Sequence, residues 1–240
     1  MRTKTLLLAC AALAFSLATS QAQVYSANVV GYINQTLSSG LNLVTVPFTI
    51  GSSNGGNEVF GSVLPDGTQF LIFNRITGKY VTDVYDTGAG FNPNPWLMAD
   101  DATPTNPPYL PAGLGFFIQP PGGATVTYIG SVAVNYNASN TNTLASGLTL
   151  VGSIIPVAGP VTNALVNLGP TLPDGTQFLL YNQATGKYIT DVYDTGAGFN
   201  PNPWLMADDA TPTNPVSLSI GQGFFIQPPG GANWVETFTP

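Results

Sequence analysis

The run TDVYDTGAGFNPNPWLMADDATPTNP occurs twice without a single change, at Thr82–Pro107 and at Thr190–Pro215. The first copy places Asp83, Asp86, Asp100 and Asp101 around Trp96; the second places Asp191, Asp194, Asp208 and Asp209 around Trp204. Three chemistries use such residues. Two carboxylates facing each other across a sugar serve as acid and base in glycoside hydrolysis. Carboxylates joined by Asn side chains and by carbonyls turned inward at glycines make an oxygen-rich calcium site, with all eight Asp residues as possible ligands. A Trp on a rigid Pro-rich loop, with Tyr85 or Tyr193 beside it, offers a face for stacking on a sugar while Asp and Asn bind its hydroxyls.

Each has a plainer rival. Hydrolases generally build one cleft from distant parts of a chain, whereas this chain carries one short loop twice. The Asp spacing fits neither the EF-hand loop nor a Gly/Asp nonapeptide repeat. Asp and Asn also close turns with no ligand involved. A Trp buries a large area when it anchors a loop to a sheet. Calcium against turn closure, and sugar stacking against anchoring, stay open at the level of sequence.

What is missing narrows the field more. The chain has no His, and its one Cys is Cys10. Ser-His-Asp and Cys-His catalysis, and metal sites built on His or thiolate, have no residues to use. There is no phosphate-binding Gly-Lys-Ser/Thr loop and no dinucleotide fingerprint. The expectation is a protein that is not an enzyme and has no cofactor, unless calcium binds.

The first 22 residues read as a secretory signal: Arg2 and Lys4, then LLLACAALAFSLA, then Ser20-Gln21-Ala22 ahead of cleavage before Gln23. A lipoprotein signal ending at Cys10 fits less well, because the apolar run continues beyond it. Without the signal, 218 residues remain, with Arg75, Lys79 and Lys187 against twelve carboxylates and a net charge of −9. That balance argues against nucleic acid and anionic lipid. No later stretch is apolar enough for a membrane-spanning helix. Charged residues make up only 7% of the chain. Thr, Asn, Ser and Gly must therefore provide the polar surface, as is common in secreted β-proteins.

The elements that hold the loops are themselves duplicated. From Leu64 to Pro107 the chain matches Leu172–Pro215 except at Ile72/Leu180, Phe73/Tyr181, Arg75/Gln183, Ile76/Ala184 and Val81/Ile189. GLGFFIQPPGGA and GQGFFIQPPGGA continue the match from Gly113 and Gly221, and LSSGLNLV and LASGLTLV precede it from Leu37 and Leu144. TQFLIFN and KYVTDVYD, joined by RITG, form a hairpin pattern. GFFIQ reads as a buried strand, with Phe116, Phe117, Phe224 and Phe225 in the core. ATVTYIGSVAVNY reads as a long alternating strand bent at Gly130. Helix is expected only as a turn or two, in NEVFGSVL and VTNALVNLG. These signals predict an all-β chain of two homologous sandwich-like or barrel-like units of about 100 residues, packed closely and without a flexible linker. Their bounds are 23–133 and 134–240, meeting between Ser131 and Asn137.

In order, GYINQTL, LPDGTQFLIFNRITGKY, Trp96, LPAGLGFFIQ and VTYIGSV resemble the pattern of secreted tandem-repeat β-proteins of Verrucomicrobia and related bacteria. The resemblance covers the mature chain and includes the closing GANWVETFTP. It implies a surface or matrix protein with no assigned activity. The long Asp- and Trp-bearing loop departs from that pattern, so the resemblance carries nothing over to it. Extracellular polysaccharide or other surface proteins are the expected partners, and the sequence leaves the oligomeric state open.

Overall fold

The computed structural model describes residues 29–88, 94–100, 102–132, 139–196, 202–208 and 210–238. Residues 1–22, read above as a signal, the middle of each long loop, Asp101, Asp209 and the 133–138 junction lie outside the described residues. The chain is all-β, and its strand pairs are antiparallel. The sheets are open and sandwich-like; none closes into a barrel among the described residues.

In the first half, β1 (Val30–Leu37) pairs with β7 (Ala124–Ser131) along eight residues. Between them in sequence lies a five-stranded sheet. Its order is β2 (Asn42–Thr45), β6 (Gly115–Gln119), β3 (Thr68–Asn74), β4 (Lys79–Tyr85), β5 (Trp96–Met98). The second half repeats the plan. β8 (Ser139–Leu144) pairs with β16 (Ala232–Thr237), and β9 (Thr149–Gly152), β15 (Gly223–Gln227), β11 (Thr176–Asn182), β12 (Lys187–Tyr193) and β13 (Trp204–Met206) form the equivalent sheet. A two-residue pair, β10 (Gly159–Pro160) with β14 (Ser217–Leu218), completes it.

Period-two alternation explains the burial. In β7, Val126 and Tyr128 are buried while Thr125, Thr127 and Ile129 point outward. In β6 both faces are covered. Phe116 and Ile118 join Phe60, Phe70, Trp96 and Tyr128 in the main core, and Phe117 turns the other way to meet Leu43, Leu150 and Phe225.

That second cluster joins the halves. Thr45 N donates to Gly221 O at 2.9 Å, and its counterpart Gly152 N donates to Gly113 O at 3.0 Å. Phe73 meets Phe225 at 5.5 Å between ring centroids, and Tyr181 meets Phe117 at 5.3 Å. Each contact maps onto its partner through the repeat offset, the reciprocity of an isologous two-fold interface.

The helix expectation holds in the first half only. There α1 covers Gly56–Phe60. In the second, VTNALVNLG forms turns leading to a single 3-10 turn at Gly169–Thr171. Asn163 accepts the Leu165 N–H at 2.9 Å, competing with helical pairing, and Asn167 takes a positive φ of 48°.

Candidate functional site

The loop that follows each hairpin is pinned by its own polar residues. Thr87 gives both its N–H and its hydroxyl to Asp66 Oδ1, at 3.0 and 2.5 Å. Asp86 Oδ1 accepts Gly88 N at 2.7 Å. Asp100 accepts the N–H groups of Ala102 and Thr103 and the Thr103 hydroxyl. Asn94 donates to Thr105 O at 2.6 Å and accepts Trp96 N at 3.3 Å. Asp174, Asp194, Asp208 and Asn202 repeat these bonds in the second half. The threonine hydroxyls hold Asp66, Asp100, Asp174 and Asp208 below the ordinary carboxylate pKa.

Asp83 and Asp191 differ. They lie within β4 and β12, where desolvation raises their pKa. Of the eight Asp residues offered as calcium ligands, the six that are described therefore divide between turn closure and strand positions. Among the described residues, no group of three or more carboxylate, His or Cys side chains is placed to hold a metal ion.

For Trp96 and Trp204 the anchoring alternative holds, and the stacking role offered for them does not. Both indoles are core, with relative exposures of 0% and 1%. Trp96 packs against Phe70 at 5.1 Å and Tyr85 at 5.3 Å; Trp204 packs against Phe178 at 5.3 Å and Tyr193 at 5.2 Å. A buried ring has no free face to offer a sugar. Tyr85 is buried with its Trp, whereas Tyr193 is half-buried.

The two identical loops are covered differently. Over Trp96 lies α1. The indole N–H donates to Asn57 Oδ1 at 2.6 Å, and a Cβ added at Gly56 would come within 2.6 Å of the ring. Only glycine permits this approach. In the second half no described residue accepts the Trp204 indole N–H. Trp204 instead lines a cleft of about 390 Å³ with Thr162, Gly169, Tyr193, Asn202, Pro203 and Pro215.

Sequence reasoning missed a second concavity, a groove of about 440 Å³ where the halves meet, rich in Gln and Asn. A usable signal existed. Phe73/Tyr181 and Arg75/Gln183 are among the few differences between the copies, and Leu114/Gln222 is the one change within GLGFFIQPPGGA. The three second-half residues all line this groove. Sequence reasoning also passed over Glu236, a buried carboxylate in β16.

The chain matches no family model, no curated protein and no solved structure. The functional reading therefore rests on these residues and their geometry.

Proposed function

We propose that the protein is a secreted, non-enzymatic β-repeat protein with a structural or adhesive role at the cell surface or in the extracellular matrix. One observation carries this reading: in both copies of the repeated loop, the residues suited to chemistry serve the fold. The indoles fill the cores, Asp86, Asp100 and their counterparts close turns, and Asp66 and Asp174 tie Thr87 and Thr195 down from outside the run. The described ends of each loop are tied down by hydrogen bonds, on a body whose halves are joined by an apolar interface. Repeated contact with polysaccharide or with other surface proteins suits such a pair of loops, because two linked weak contacts gain avidity.

The test is localisation together with loss of function. Antibody should label the outside of intact cells, the mature chain should begin at Gln23, and deletion should weaken cell or matrix cohesion. Labelling that appears only after permeabilisation overturns the proposal. So does release of reducing sugar from polysaccharide by the purified chain.

A further inference from the structure

The groove between the halves has the chemistry of a binding site, and its character lies in its unfilled hydrogen-bonding groups. Gln35, Asn42, Tyr181, Gln183, Ser219 and Gln222 contribute to its wall, and no charged residue does. Gln35 Nε2 donates to Gly221 O at 3.1 Å, but its Oε1 is buried with no donor. Gln183 Nε2 donates to Leu41 O and to Asn42 Oδ1, leaving its Oε1 without a donor among the described residues. Gln222 Oε1 accepts Ser219 N at 2.9 Å, leaving its Nε2 without an acceptor among them. An open acceptor on Gln183 and an open donor on Gln222 thus share one concavity, beside the half-buried ring of Tyr181.

A hydroxyl donates and accepts at once, so it answers both kinds of group. A carboxylate satisfies only donors and an ammonium only acceptors, and either would give up water here without a countercharge. The aromatic wall suits the C–H face of a sugar ring. A volume of about 440 Å³ lies within the range of small-molecule sites, roughly 300–1,000 Å³.

The two-fold relation of the halves supplies an internal control. At the equivalent place stand Asn142, Thr149, Phe73, Arg75 and Leu114, so most of the amides are gone and a cation has entered. The space differs too. A Cβ added at Gly113 would lie 2.8 Å from Ile154, whereas one added at Gly221 meets nothing closer than Gln35 at 3.4 Å.

We propose that this groove binds one ring of a neutral carbohydrate. Gln183 Oε1 takes a hydroxyl proton, and Gln222 Nε2 donates to a hydroxyl oxygen. The site uses none of the loop residues and stands apart from the surface role proposed above.

The test is saturation-transfer NMR on the mature chain with glucose, galactose, mannose, N-acetylglucosamine and cellobiose as probes and galacturonate as the charged control. At least one neutral probe should receive transfer and galacturonate should not. Gln183→Arg and Gln222→Leu install residues that the first half carries at the same positions, so each variant should melt like the parent. Each should weaken binding by about tenfold, the loss of one buried hydrogen bond. Should a variant fail to fold, Tyr181→Leu, which removes the aromatic wall, replaces it, and transfer to the bound probe should fall. Transfer to none of the neutral probes, equal transfer to galacturonate, or unchanged binding in the folded variants overturns the proposal.

Discussion

Glu236 is fully buried in β16, and Ser153 Oγ and Ile154 N reach its two carboxylate oxygens. The Ser153 hydroxyl also lies 2.6 Å from Ile155 O, which only accepts. With its one proton directed there, the hydrogen between Ser153 and Glu236 is the carboxyl's own while Glu236 is protonated. Burial accordingly raises its pKa to about 7. The folded-state pKa stands above the unfolded one. The stability Glu236 contributes is therefore fully present below the ordinary Glu pKa and is lost as pH rises through about 7. Thermal melts should fall from pH 5 to pH 8, and Glu236→Gln, which keeps both hydrogen bonds, should flatten that slope. A parent melting temperature independent of pH over this interval would show that the carboxyl is not neutral when folded. The loop carboxylates behave in the opposite way. Asp100 and Asp208 already accept three hydrogen bonds each within their own turns. EDTA is expected to leave the melting temperature unchanged, and a drop of several degrees would instead place calcium at these loops.

Secondary-structure elements account for the different fates of the two Trp residues. In the first half, Glu58 gathers the N–H groups of Ser52, Ser53 and Gly55 and so fixes the start of α1. These bonds lower its pKa to about 2. The helix then lays Phe60 against Phe116 and Tyr128 and brings Asn57 to the indole of Trp96. In the second half Trp234 packs on Phe224, the counterpart of Phe116, and gives its N–H to Val166 O. A strand residue there fills space that the helix fills in the first half. Asn57→Ala should leave the Trp96 N–H buried without a partner, at a cost of about 1–3 kcal/mol in urea denaturation. No loss of stability would mean that water replaces Asn57 without penalty.

At the scale of the whole molecule, the interface of Leu43, Phe117, Leu150 and Phe225 makes one body of two units. A buried Phe replaced by Ala costs roughly 3–5 kcal/mol. Phe225→Ala should therefore lower stability and, because it cuts the coupling between units, split the single calorimetric transition expected of the parent into two. The near-symmetry is broken where the equivalent positions Thr45 and Gly152 meet. A Cβ at 152 would lie 2.3 Å from the Thr45 methyl carbon, so Thr in both copies would clash. Gly152→Thr should cost about 1–3 kcal/mol through overpacking, measured by chemical denaturation. A neutral result would mean that the interface yields there.

Much of this molecule follows from local rules. The duplication, the hairpin of β3 and β4, the buried GFFIQ strands and the Asp-closed turns are short-range features. Alternation and turn chemistry specify them within a few residues, so they are legible in the sequence. The groove is not, since Gln35, Gln183 and Gln222 meet only when the halves dock. Nor is the hydrogen-bonded carboxyl of Glu236, which depends on Ser153 more than eighty positions earlier. The clearest case is the repeated run itself. Its 26 residues are the same in both copies, so every local preference is the same, yet Trp96 donates to Asn57 and Trp204 borders an open cleft. The fold buries both Trp residues in the cores. What covers each one was decided by segments outside the run, α1 in one half and a turn-rich stretch in the other, because burial is a property of the neighbours a residue meets in space.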